Sequence, residues 1–83
     1  MSFAPISITM TDAADVLSEG MEAIVKGATT IDLSGLAHFD SSAVSALLAW
    51  QRAANEKSVG LELVGVPEGL RSLAKLYGVD ALL

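Results

Sequence analysis

The chain has 83 residues, which is enough for one small domain and too short for two units that each own a core. Hydrophobic residues make up 52% of the chain, charged residues 18%, and the mean hydropathy is +0.53, which excludes an intrinsically disordered chain. Five basic against ten acidic side chains give a net charge of −5 and leave no basic cluster for a nucleic acid. A small domain buries only part of its surface, so this chain has more apolar residues than its core needs. We expect the surplus apolar residues to form a surface that binds another protein.

Further classes of protein are excluded by what the sequence lacks. The absence of cysteine excludes disulfides and thiolate metal sites. The longest apolar run falls well short of the roughly 20 residues that a membrane span needs. No basic residue precedes Lys26, and Pro5 interrupts the first apolar stretch, so no signal peptide is predicted. We therefore expect one cytoplasmic domain over residues 1–83, with no direct insertion into a membrane.

The predicted elements alternate along the chain in the order β-α-β-α-β-α. Apolar and polar residues alternate, as in strands with one buried face, over residues 6–10, 30–34 and 60–64. Helical periodicity marks segments from about 12 to 25, from 41 or 42 to 55 or 56, and from 68 to 77. Thr11 or Asp12 is expected to cap the first helix, and Gly27 to end it. Because each strand is half polar, we expect the helices to cover only one face of the sheet.

The junction between the second strand and the second helix reads Asp40-Ser41-Ser42. A carboxylate or hydroxyl at such a junction can cap the helix by accepting a hydrogen bond from a free backbone N–H. An exposed hydroxyl there can also be a phosphoacceptor or a polar docking point, since the helix dipole and free amides stabilise an added anion. The residue pattern leaves both interpretations open.

The second helix is predicted to be amphipathic. Its polar stripe comprises Ser41, Ser45, Arg52 and Glu56. Its apolar side comprises Ala43, Leu47, Trp50 and Ala54, flanked by further alanines that would let another surface approach closely. Trp50, the single tryptophan of the chain, is interpreted either as a core residue or as an anchor for a partner at the edge of the apolar side.

No catalytic constellation is recognised in the sequence. His38 is the only histidine, and it lies beside Asp40 and Ser41 in no known triad order. A glycine-rich phosphate loop with its lysine is also lacking. We therefore expect a protein that is not an enzyme and that takes no cofactor and no metal.

Two stretches of the sequence resemble STAS domains, the fold of anti-sigma factor antagonists and of the cytoplasmic part of sulfate transporters. The first comprises residues 31–34, Ile-Asp-Leu-Ser, and residues 39–44, Phe-Asp-Ser-Ser-Ala-Val. The second, residues 61–66 and 70–79, is similar to the end of the MlaB-like branch. Ala43 departs from the family, in which glycine is usual, and its methyl group is expected to restrict the approach of a partner backbone. The resemblance implies an α/β fold with a mixed β-sheet of about four strands and helices on one face.

The resemblance also implies a function. By position, Ser41 corresponds to the hydroxyl that an anti-sigma factor kinase phosphorylates in the antagonists, and to the hydroxyl that contacts the ATPase subunit in MlaB-like proteins. We expect a non-catalytic subunit that binds the cytoplasmic ATPase of a phospholipid-transporting ABC transporter and lies at the inner membrane through that partner. The alternative is an anti-sigma factor antagonist regulated by phosphorylation of Ser41. A homodimer of the isolated chain is left open.

The contact surface is expected at the start of the second helix, with a secondary surface elsewhere. The primary residues are Asp40, Ser41, Ser42 and Ser45. The secondary residues are Trp50, Arg71 and Lys75. Surplus apolar residues are expected chiefly in segments 43–54 and 70–83, where the C-terminal leucines must fold back on the core or be covered by a partner.

Overall fold

Five short strands and three helices make up the part of the chain that the computed structural model describes, residues 2–79. The helices are α1 (Ala13–Val25), α2 (Ser41–Glu56) and α3 (Glu68–Leu76). The strands are β1 (Ser2–Phe3), β2 (Ser7–Ile8), β3 (Thr30–Asp32), β4 (His38–Phe39) and β5 (Glu62–Val64). The predicted α/β class is confirmed, and each predicted helix is present with its ends within one residue of the expected positions.

The strands pair in two small parallel sheets, one in the order β1-β3-β5 and the other formed by β2 and β4. In the larger sheet, Ile31 of β3 lies between Phe3 of β1 and Leu63 of β5. Every pairing among residues 2–79 is parallel. The expectation that the sheet of about four strands would be mixed is therefore wrong in the direction of its strands. The physical reason is that a helix connects β2 to β3 and β4 to β5, and such crossovers return the chain in the same direction.

The N-terminal strand also begins earlier than predicted and is interrupted. β1 and β2 are separated by residues 4–6, which include Pro5, a residue that has no N–H to donate to a ladder. β3 and β4 are separated by residues 33–37, and the two interruptions face each other, since the Ile6 carbonyl accepts hydrogen bonds from the Ala37 and His38 amides. Two long strands are thus each broken into two short ones.

The hydrophobic core lies between the sheets and the three helices. Its largest fully buried side chains are Trp50, Ile8, Ile31, Leu33, Leu47 and Leu70. The Trp50 indole Nε1 donates to the Leu17 carbonyl at 3.1 Å, and the ring meets Phe3 edge to face with centroids 5.7 Å apart. With no exposed surface, Trp50 is a core residue, and its interpretation as a partner anchor or secondary contact is wrong.

The surplus apolar residues are exposed only in part where they were predicted. Most of the apolar side of α2 is buried, including Ala43, which is fully buried, so its methyl group packs in the core and cannot restrict a partner. Within residues 2–79, the exposed large apolar side chains are those of Leu76 and Tyr77, which lie in the predicted segment 70–83, and those of Ile6, Met10 and Val25, which lie outside both predicted segments. Val79 packs against the core, and the C-terminal leucines lie outside the described residues. None of the helices within residues 2–79 combines the length and apolar character that crossing a bilayer requires.

Candidate functional site

The N-terminus of α2 is organised by the carboxylate of Asp40. Its Oδ1 accepts from the Ser42 backbone N–H at 2.8 Å, which confirms the predicted helix cap, and its Oδ2 accepts from the Met10 backbone N–H at 2.9 Å. These two amides, Met10 foremost, hold the pKa of Asp40 below its ordinary value, because they stabilise the ionised form. One charged side chain therefore joins α2 to the loop that follows β2.

A second carboxylate, Asp12, fixes the shape of that loop. Asp12 occupies the N-cap position of α1 but makes no side-chain bond to the amides of the helix. Its carboxylate accepts instead from the Ser7 hydroxyl and from the Thr9 N–H, the latter at 2.6 Å. The Ser7 hydroxyl bond, followed by the Thr9 amide, lowers the pKa of Asp12. The loop that carries Met10 is thus held from both ends by ionised carboxylates.

The predicted hydroxyls at this end of α2 differ in their surroundings. Ser41 and Ser45 are exposed, whereas Ser42 is half-buried. Ser42 and Ser45 line a groove of about 220 Å³ between α1 and α2 together with Ala13, Ala14, Leu17 and Ala46. They also line, with Ser41, a second groove of about 360 Å³ that is bordered by Leu48 and by Tyr77 at the end of α3. The hydroxyls therefore lie along a strip between two shallow depressions.

Exposed apolar side chains frame this polar strip. Met10, 81% exposed, is next to the α2 N-terminus through its bond to Asp40, and Tyr77, 56% exposed, borders the second groove. Neither residue was among the predicted contacts, because the sequence pattern assigned Met10 to the end of a strand and Tyr77 to the end of a helix. An apolar residue at a polar strand-to-helix junction is the signal that could have identified Met10. We call the surface formed by Met10, Asp40, Ser41, Ser42, Ser45 and Tyr77 the α2-cap surface.

The other predicted contacts lie apart from the grooves. Arg71 and Lys75 are both exposed and stand one turn apart on α3, but neither lines the two grooves beside α2. His38 is exposed on β4, and within residues 2–79 no cluster of acidic or histidine side chains is arranged to hold a metal. Of the predicted contact residues, the structure therefore brings together those at the start of α2, which belong to the α2-cap surface.

The comparison of the chain with known protein families finds a match. The family model described as "Mlab, STAS domain" matches residues 7–83, which is nearly the whole chain and includes every residue of the α2-cap surface. Searches of curated proteins and of solved structures return no match.

Proposed function

The chain belongs to the MlaB-type STAS domain family, and on that premise we propose that it is a non-catalytic accessory subunit of a phospholipid-transporting, Mla-type ABC transporter. It binds the cytoplasmic ATPase of that transporter and supports its assembly and activity. The partner holds the subunit at the inner face of the membrane. The α2-cap surface, including Ser41, makes the contact.

The observation that carries the proposal is the composition of the α2-cap surface. Protein interfaces combine apolar contact area with a few hydrogen bonds that fix the register of the two partners. The exposed Ser41 and Ser45 hydroxyls provide the hydrogen-bonding groups, and the exposed Met10 and Tyr77 side chains provide apolar area beside them. This mixture suits a partner protein better than a small molecule, since both grooves are shallow and open.

The subunit would act by binding one conformation of the ATPase more tightly than another. A bound protein shifts a conformational equilibrium only by the difference between its affinities for the two states. A rigid contact surface suits this role, and the backbone here is held by bonds from Asp40 and Asp12. Binding to the folded chain would also stabilise this small domain itself.

One observation supports a second candidate, an anti-sigma factor antagonist switched by phosphorylation. Ser41 is the first residue of α2 and is exposed, so a kinase can reach its hydroxyl, and a phosphate there would meet the positive end of the helix dipole. The ionised carboxylate of Asp40 is directly adjacent and would repel that phosphate. The geometry therefore favours a docking hydroxyl over a phosphoacceptor.

Two variants of Ser41 separate the candidates. The dissociation constant for the purified ATPase subunit is measured with the wild-type chain, with Ser41→Ala and with Ser41→Glu. A docking hydroxyl predicts weaker binding in both variants, about tenfold in Ser41→Ala from the loss of about 1.4 kcal/mol of hydrogen bonding and packing. Normal binding in Ser41→Ala with loss only in Ser41→Glu, together with phosphate transfer to Ser41 by a soluble kinase, would establish the antagonist instead.

Thr29 provides the matched control. It carries an exposed hydroxyl and immediately precedes β3, whereas α2 begins after β4, so the two hydroxyls lie at opposite ends of the parallel strands. Thr29→Ala removes a hydroxyl together with the threonine methyl group, and Thr29→Glu changes the net charge by the same amount as Ser41→Glu, and we expect both to bind the ATPase like the wild-type chain.

A further inference from the structure

The most exposed large apolar side chain within residues 2–79 is that of Met10, and nothing in its own fold requires it to be apolar. It follows β2 and lies outside the residues that pack against the core. An unbranched, polarizable methionine adapts its shape to an apolar pocket on another protein. At 81% exposure, it contributes little to the stability of the domain and leaves most of its surface free for contact with a partner.

The backbone that carries Met10 is fixed by several hydrogen bonds. The Asp40 carboxylate accepts from its N–H, and the Asp12 carboxylate accepts from the N–H of Thr9, the preceding residue. The Thr9 carbonyl in turn accepts from the amides of Asp12 and Ala13. A side chain on a fixed backbone loses less conformational freedom on binding than one on a mobile loop.

Asp40 sets the position of Met10 relative to Ser41. Its two oxygens accept from Met10 on one side and from Ser42, the neighbour of Ser41, on the other. The backbone segments that carry Ser41 and Met10 are therefore held side by side, with one carboxylate between them. The same residue that caps α2 also fixes the spacing between a polar and an apolar contact.

We propose that Met10 is the apolar anchor of the α2-cap surface, inserting into an apolar pocket of the ATPase subunit, and that Asp40 is the residue that positions it. This inference rests on the proposed function, since it names a further contact of the same surface. The partner pocket is apolar and lies beside the group that receives the Ser41 hydroxyl.

The first test replaces the side chain. Met10→Ser is expected to weaken binding to the purified ATPase subunit by about tenfold or more, as truncation of a central apolar contact does, while Met10→Leu stays within about threefold of the wild-type chain because its size and apolar character are similar. Val25→Ser is the matched control. Val25 is 66% exposed at the far end of α1 and should bind like the wild-type chain.

The second test replaces the positioning group. Asp40→Asn keeps a good capping residue but leaves one acceptor oxygen where the carboxylate has two, so it can hold either Ser42 or Met10 and not both. We expect weaker binding of the ATPase and faster hydrogen exchange at the Met10 amide. In a Met10→Ser background, Asp40→Asn should weaken binding much less than it does in the wild-type background, because the anchor that it positions is already absent.

The outcomes distinguish this inference from the proposed function. If the wild-type chain binds the ATPase, Ser41→Glu abolishes binding and Met10→Ser binds like the wild-type chain, the anchor is refuted and the proposed function stands. If Met10→Ser weakens binding but Asp40→Asn weakens it equally in both backgrounds, the positioning role of Asp40 is refuted. Failure of the wild-type chain to bind the ATPase refutes the proposed function and this inference with it.

Discussion

Replacing Gly20 by alanine tests the packing of α1 against α2. In an exposed helix interior this change is stabilising by about 1 kcal/mol, because glycine loses more backbone entropy on folding. Gly20, however, is buried in α1, and a Cβ on it would lie 2.6 Å from Cζ2 of Trp50 and would overlap the Cε2 and Nε1 atoms of the same ring. The two helices approach this closely only because residue 20 has no side chain.

The indole has little freedom to move away. It is fully buried, Phe3 packs against it edge to face, and its Nε1 donates to the Leu17 carbonyl. Overpacking a core of this kind costs about 1–3 kcal/mol, and displacement of the ring also loses a buried hydrogen bond that contributes about 1 kcal/mol. After the helix propensity gain is subtracted, Gly20→Ala should lower the free energy of unfolding by about 2 kcal/mol.

Urea denaturation followed by fluorescence measures this change, since Trp50 is the only tryptophan and passes from the core to water on unfolding. Gly69→Ala is the control in another helix. A Cβ there would lie 3.2 Å from Cζ of Phe39, a half-buried ring that can shift slightly, so stability should change by less than about 0.5 kcal/mol. A Gly20→Ala variant as stable as the wild-type chain would refute the described contact between α1 and Trp50.

Further predictions concern turns and pH. Gly65→Ala should destabilise the domain by more than about 2 kcal/mol in urea denaturation, because its φ of +67° disfavours a side chain and the new Cβ would lie 2.7 Å from Cβ of Ser34. Gly27→Ala, with φ of +106° and open space around it, should cost about 1–2 kcal/mol from backbone strain alone, and an equal loss in both variants would contradict the role of the close contact at Gly65. The hydrogen bond from the Ser7 hydroxyl is the largest of the causes that lower the pKa of Asp12 in the folded chain. The ionised carboxylate therefore stabilises the fold at pH values above its unfolded pKa of about 3.9, and this contribution is lost as the pH falls through the lower pKa of the folded state. Asp12→Asn should reduce the acid dependence of the unfolding free energy between about pH 5 and pH 2, and an unchanged profile would contradict the assignment.

The helices of this protein could be predicted closely because their signals are local. The apolar spacing of α2, the Asp40 cap and the Gly27 terminator each act within a few residues of the chain, so the predicted helix ends agree with the structure. The strands were predicted less well. β1 is two residues long and is defined by its partners on β3, which lie far away in the sequence.

The candidate site likewise contains residues that the sequence could identify and residues that it could not. Asp40, Ser41 and Ser42 are adjacent in the chain and lie at a helix start, so the sequence alone was sufficient to select them. Met10 and Tyr77 reach the same surface from opposite ends of the chain, and no local pattern marks them as neighbours.

The sequence by itself determined the helical segments, the α/β class, the helix cap and the hydroxyls beside it, because residue spacing and capping chemistry act over short distances. The tertiary structure decided that Trp50 is buried, that the strands pair in parallel and that Met10 is held beside Ser41. Each of these depends on which distant surfaces meet, as in the contact of Gly20 with the indole ring and the bridge from Asp40 to the Met10 amide. Only packing of the whole chain can choose between burial and exposure for an apolar side chain, and it assigned Trp50 to the core and Met10 to the surface.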